Sequence, residues 1–128
     1  MKQPHAWKVS VLVQVARGLA YLHHCAIVHL GMTPESNIIH DCGAGPPSVR
    51  ASDLGLAVIR RRSAMVRCDS ANSAPYRPVG LFHTETPDVP VDFCFDLWAF
   101  GCVVFDVLQS RPRLEECEKA AVCVSSAE

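Results

Sequence analysis

The stretch from Phe93 to Gln109 constrains this chain more than any other. Phe95, Leu97, Trp98, Phe100, Val103, Val104, Phe105, Val107 and Leu108 cover nearly every face of the helix it would form. A helix that is apolar all round has to be surrounded by protein or lipid. The longest apolar run, Leu97 to Leu108, contains Asp106 and falls far short of the ~20 residues that span a bilayer. Protein therefore has to surround it. At 128 residues a chain can bury roughly two thirds of its unfolded surface, enough for a real core.

A second helix is predicted over 5–24. Trp7, Val11, Val15 and Leu19 recur every four residues, flanked by Leu12, Ala16, Ala20 and Leu22, with Lys8, Gln14 and Arg17 elsewhere on the wheel. Pro4 suits the first turn. About twenty residues give a helix near 30 Å, long enough to cross a domain. Between the helices, Ile27-Val28 and Ile38-Ile39 are strand-like pairs bracketing a polar loop from His29 to Asn37. Cys42 to Pro47 reads as a turn and Ser48 to Ser52 as the returning strand. Gly43 and Gly45 do not complete a phosphate-binding glycine pattern, and no helix follows them. Residues 56–92 read as a long surface loop, of the kind that is usually functional or mobile inside a compact domain. The whole is α+β and mainly helical, without internal repeats.

Composition narrows the functional classes. The net charge of −1 gives no general attraction to nucleic acid or anionic membrane, so neither is expected as a partner. The seven cysteines are odd in number, irregularly spaced and contain no CxxC pair. The N-terminus MKQPHAWK has no apolar signal core. These features predict reduced, mostly buried thiols in a cytoplasmic or nuclear protein. His23-His24-Cys25 has no second cluster at a spacing that completes four zinc ligands.

The order of elements and their punctuation resemble the eukaryotic protein kinases. Gly18-Leu-Ala-Tyr-Leu-His23 with Ile27-Val-His29 resembles the helix and strand that lead into the family's catalytic loop. Ser52-Asp53-Leu54-Gly55-Leu56-Ala57 resembles the metal-binding DFG motif with Leu for Phe. Ala74-Pro75-Tyr76-Arg77 resembles the run ahead of the APE motif, and Asp96-Leu-Trp98-Ala-Phe-Gly101 the D-x-W-S-x-G start of the buried central helix. The resemblance implies a kinase-like fold, of which residues 1–112 are the core of the C-terminal lobe and 113–128 a tail or the start of a further helix. The family's ATP-gripping glycine loop and lysine strand are expected N-terminal to these motifs. Marginal folding with exposed apolar patches is expected of the isolated chain.

The resemblance also implies a site. The family transfers phosphate from ATP with Mg²⁺ to a protein hydroxyl, and His29 to Asn37 lie on its H-R-D-L-K-P-x-N pattern. The catalytic Asp falls on Gly31 and the Lys on Thr33. Ser36 falls on the metal-binding Asn, a role Asn37 recovers if the loop carries one extra residue. Losing a positioned base costs ~10²–10⁴-fold in rate. Glu35 is a further carboxylate, expected to point elsewhere. Asp53 is the one intact catalytic-type residue and the expected Mg²⁺ ligand, and Leu54 and Gly55 keep the turn behind it. His29 is expected to pack and hydrogen-bond within the loop, Trp98 to sit in the core, and Asp96 to accept backbone N–H bonds from the catalytic loop. Leu30 replaces the Arg that pairs with a phosphorylated activation loop, and Pro78-Val79-Gly80 stands at the APE position. Arg60-Arg61-Arg62-Ser63 is either a basophilic phosphorylation site or a solvated face.

Three functional readings follow. The first is a catalytically impaired, pseudokinase-like module that binds a protein partner. The second is an active serine/threonine protein kinase, ATP-binding and acting on a protein substrate, whose sequence is truncated or locally misread. The third is an unrelated small α+β protein with a thiol or metal function.

Overall fold

The first helix starts where Pro4 holds the chain at φ −58° just ahead of it. In a computed structural model, which describes residues 3–40, 47–68, 74–82 and 86–110, helix α1 runs His5–His24 as the periodicity predicted. Its buried face is Val11, Leu12, Val15 and Leu19. Each such side chain contributes about 1.5–3 kcal/mol on burial. Ala26, at φ 58°, turns the chain sharply out of the helix into strand β1, Ile27–Val28.

Strands β2, Asn37–His40, and β3, Ser48–Ala51, pair antiparallel with Asn37 opposite Ala51 and His40 opposite Ser48. Gln14 of α1 ties this hairpin to the helix. Its Nε2 donates to the Pro47 carbonyl at 2.8 Å and its Oε1 accepts from the Val49 N–H at 3.0 Å, so a side-chain amide extends the strand's ladder. Most of the turn expected at Cys42 to Pro47 lies outside the described residues, as does the tail at 113–128.

The segment expected as one long loop is more ordered than the sequence suggested. Strand β4, Val58–Ile59, pairs antiparallel with β1, and β5, Met65–Arg67, pairs with β6, Asp88–Pro90. These strands are two or three residues long, too short to give a readable alternation.

Helix α2 runs Cys94–Gln109. Asp92 Oδ1 accepts the Cys94 N–H at 2.8 Å, and this bond holds the Asp92 carboxyl below its usual range. At the other end Lys8 Nζ reaches the Leu108 carbonyl at 3.0 Å, placing a cation on the helix's negative end. Phe95, Asp96, Ala99, Cys102, Val103 and Asp106 are buried. Ala99, Cys102 and Val103 join the α1 face, Met32 and Tyr76 in the main core, while Phe95 joins Val28, Leu30 and Val91 in a second.

One face of α2 departs from the expectation of complete burial. Leu97 is 58% exposed, Trp98 45%, and Phe105 and Leu108 about as much, so Trp98 lies on an open apolar stripe and not in the core. The described elements cover only one side of the helix, and the exposed patch expected for this chain is present. The four described cysteines are also less uniform than expected. Cys68 and Cys102 are buried thiols, Cys25 and Cys94 exposed ones. No helix of the described residues is long and apolar enough to cross a membrane.

Candidate functional site

Asp96 organises the site. It lies in the first turn of α2, fully buried, where an unpaired carboxylate would be prohibitively costly. Its Oδ2 accepts the His29 N–H at 2.7 Å and its Oδ1 the Leu30 N–H at 2.9 Å. His23 Nε2, from the end of α1, lies 2.8 Å from Oδ2. One carboxylate thus joins α1, α2 and the loop after β1. The clasp also holds Leu30 at φ 58°, a conformation that costs a non-glycine residue about 1–2 kcal/mol. Leu30 is buried and apolar, so the position carries packing and no cation.

His29 works within the same loop. Its Nε2 lies 3.0 Å from the Ser52 carbonyl, which can only accept, and its Nδ1 lies 3.2 Å from the Gly31 N–H, which can only donate. The Nε2-protonated tautomer satisfies both bonds. The imidazole therefore bridges the loop to the turn before Asp53, and neither nitrogen is left for proton transfer.

Beyond it stands Gly31, without a side chain. A Cβ there would meet His29 Nδ1 and Leu56 Cδ1 at 3.6 Å, ordinary van der Waals contact. The backbone there admits a larger residue. Thr33 caps the single helical turn Pro34–Ser36. Its Oγ1 accepts the Ser36 N–H at 3.2 Å, and Ser36 Oγ accepts the Thr33 N–H at 2.9 Å. Ser36 Oγ also donates to the Thr33 carbonyl at 2.8 Å, so both hydroxyls are engaged within the turn. Glu35 is exposed on it.

Asn37, at the start of β2, donates from Nδ2 to the Thr33 carbonyl at 2.8 Å and lies 3.6 Å from the Met32 sulfur. Its Oδ1 is sealed from solvent with no hydrogen-bond partner among the described residues. Asp53 is exposed, at φ 56°, ahead of the short turn Leu54–Leu56, and its carboxylate caps nothing there. Leu54 is half exposed beside a cavity of about 460 Å³ between α1 and β3, whose lining includes Gln14, Tyr21 and Val49. Gly55 is exposed and close to Asp53. Trp98 lies away from this loop, on the open face of α2 beside Leu97 and Gly101.

Two arrangements went unread in the sequence. Tyr76 donates its hydroxyl to Asp106 Oδ2 at 2.7 Å, both groups buried, and Asp106 Oδ1 has no partner among the described residues. Burial, with Asp106 beside it, pushes the Tyr76 phenol well above its usual value. The available signal was Asp106 itself, a carboxylate inside an apolar run that had to find a donor. Arg60 stands in the sequence only as part of a charged run. Its guanidinium lies 4.9 Å from the centre of the Phe93 ring and 3.6 Å from Asp92 Oδ2, bracing β4 against the start of α2.

A helix-borne carboxylate thus clasps the loop after a short strand, His29 ties that loop to the turn that carries Asp53, and the main core packs α1 against α2. The family description "Protein kinase domain" matches residues 3–126, and the chain belongs to that family. Cyclin-dependent kinase 14 of Xenopus tropicalis is 28% identical over 98 residues, covering 77% of this chain and 22% of the relative. The Homo sapiens protein of that name gives the same identity and covers 19% of its own length. The chain thus spans about a fifth of the curated relatives it matches. Among solved structures, the crystal structure of the yeast RNA Pol II CTD kinase CTDK-1 complex superposes with a TM-score of 0.74 at 21% identity, over 88% of this chain and 34% of that one. This likeness establishes the fold.

Proposed function

We propose that this chain is a kinase-fold module impaired in phosphoryl transfer, pseudokinase-like, which acts by binding a protein partner. The observation that carries the reading is the pair Gly31 and Thr33. Where the family places a carboxylate base there is no side chain, and where it places a phosphate-steadying cation there is a threonine engaged in a capping box. Phosphoryl transfer depends on positioning and charge neutralisation, and both groups at the reacting end are gone.

The metal donors support the same reading. Mg²⁺ asks for octahedral oxygen ligation with little tolerance. Asp53 offers an exposed carboxylate, while Asn37 Oδ1 is sealed beneath the loop and the Ser36 hydroxyl is bonded within its turn. One available carboxylate does not fit the two-sided grip that ATP with Mg²⁺ requires, so no step is assigned to the metal here. Family membership sets aside the third reading of an unrelated thiol or metal protein.

The second reading, an active serine/threonine kinase, keeps one specific support. Asp53 is exposed and the Asp96 clasp is complete, so the scaffold for chemistry stands. A phosphotransfer assay with labelled ATP, Mg²⁺ and a serine/threonine peptide library decides between them. No incorporation above the protein-free blank is expected. Incorporation that Asp53→Ala abolishes would overturn the impaired reading.

A further inference from the structure

Residues 60–63 carry three arginines and then a serine, a feature the kinase-fold reading leaves unused. The structure presents them as an exposed turn. The Ala64 N–H donates to the Arg61 carbonyl at 3.0 Å, closing a turn whose central residues are Arg62 and Ser63. Arg61, Arg62 and Ser63 are all exposed, and the Ser63 hydroxyl has no hydrogen-bond partner among the described residues. Arg60 is held only lightly, by a 3.6 Å ion pair with Asp92 in which both side chains are half exposed, and by the Phe93 ring. Its backbone N–H closes the last bond of the β1–β4 pair, on the Ala26 carbonyl. A two-residue strand pair opens readily at its end.

We propose that Ser63 is a phosphoacceptor for a separate, arginine-directed serine/threonine kinase, with Arg60 and Arg61 as the recognition residues three and two positions ahead of the hydroxyl. Guanidinium groups at fixed offsets from the acceptor match carboxylates lining a substrate cleft, pairing bidentately and setting the register. Fraying of β4 frees Arg60 and lets 60–63 extend into such a cleft. In the transfer, Ser63 Oγ attacks the γ-phosphorus of ATP held by the modifying kinase. The Oγ–P bond forms, the bond from that phosphorus to the β,γ-bridging oxygen breaks, ADP leaves with the electron pair, and the hydroxyl proton passes to that kinase's carboxylate base. The phosphate is not read by the catalytic loop, because Leu30 offers it no cation. Arg61 and Arg62 share its turn.

The test incubates the full 128-residue chain with a purified arginine-directed kinase and labelled ATP, locating the product by mass spectrometry. One phosphoryl group is expected, on Ser63, and Ser63→Ala should lose it. Arg60→Ala or Arg61→Ala should each lower kcat/KM about tenfold or more, the effect of removing one charge-assisted pair. Arg62→Ala should leave it within about twofold, since nothing in the recognition depends on that side chain. All four side chains are exposed, so the variants fold as the parent does. Label that persists in Ser63→Ala, or a rate indifferent to Arg60 and Arg61, would overturn the proposal and leave the run a solvated face.

Discussion

Replacing Asp96 by Asn tests how far one carboxylate holds the site together. The substitution keeps the size of the side chain and one acceptor oxygen but turns the other oxygen into an NH₂ group. That group must face the His29 N–H or the Leu30 N–H, now 2.7–2.9 Å from an oxygen. One charge-assisted bond, worth about 1.5–3 kcal/mol, is lost, and a buried donor is left facing a donor. The 2.8 Å contact to His23 weakens as well. A loss of about 2–4 kcal/mol follows, a large share of the 5–15 kcal/mol that a whole domain commonly has. Urea unfolding followed by far-ultraviolet circular dichroism reads it directly. With a slope of about 1–2 kcal/mol/M for a chain of this size, the midpoint should fall by roughly 2 M without a change in slope. His23→Ala, which removes only the outer partner, should cost about 1 kcal/mol. A midpoint for Asp96→Asn within about 0.3 M of the parent would refute the reasoning, because it would mean the loop's buried N–H groups find other acceptors.

Tyr76→Phe leaves the buried Asp106 carboxylate without its donor and should cost about 2–4 kcal/mol in the same assay. The folded-state phenol is raised above its unfolded value, so its stabilisation is fully present below pH ~10 and is lost as pH rises beyond that. The parent should therefore lose stability on titration to alkaline pH, and Tyr76→Phe should flatten that slope. Gly31→Asp places its Cβ in ordinary contact and should shift stability by less than about 1 kcal/mol, whereas Thr33→Ala removes a cap and should cost about 1 kcal/mol by urea midpoint. Leu97→Glu, on the open face of α2, should change unfolding by no more than about 0.5 kcal/mol and raise solubility measured by light scattering. Were that face covered, the loss would be several kcal/mol.

How much of this was legible in the sequence depends on the range of each interaction. The two helices were plain because periodicity is local. Val11, Val15 and Leu19 announce α1, and α2 began within one residue of its expected start. The β2–β3 hairpin was legible from its apolar pairs, but β4, β5 and β6 were not, because two or three residues cannot show an alternation. Trp98 was misplaced for a different reason. Hydrophobicity shows that a surface wants cover, and only the packed structure shows which neighbours provide it. Asp96 was expected to accept backbone bonds from the resemblance, and Tyr76 with Asp106 was missed because nothing in the chain order relates two residues thirty positions apart. Asn37 shows the finest limit. Its presence is plain in the sequence, yet only the coordinates show its amide bonded to Thr33 and its oxygen sealed away.

The groups that hold the loop and the groups that would act on phosphate are chemically separable here. The bonds that shape the loop need neither a carboxylate at position 31 nor a cation at position 33. Asp96 grips the backbone of His29 and Leu30, His29 bridges Gly31 to Ser52, and Thr33 with Ser36 closes the next turn. Gly31 takes part only through its N–H, which any non-proline residue would supply. Thr33, in place of a cation, strengthens the local turn, since a lysine has no oxygen to accept the Ser36 N–H. The loop can thus keep its conformation whether or not it can transfer phosphate. A surface built on that conformation would survive the loss of the chemistry, and this is the support the intact clasp lends to the proposed binding role.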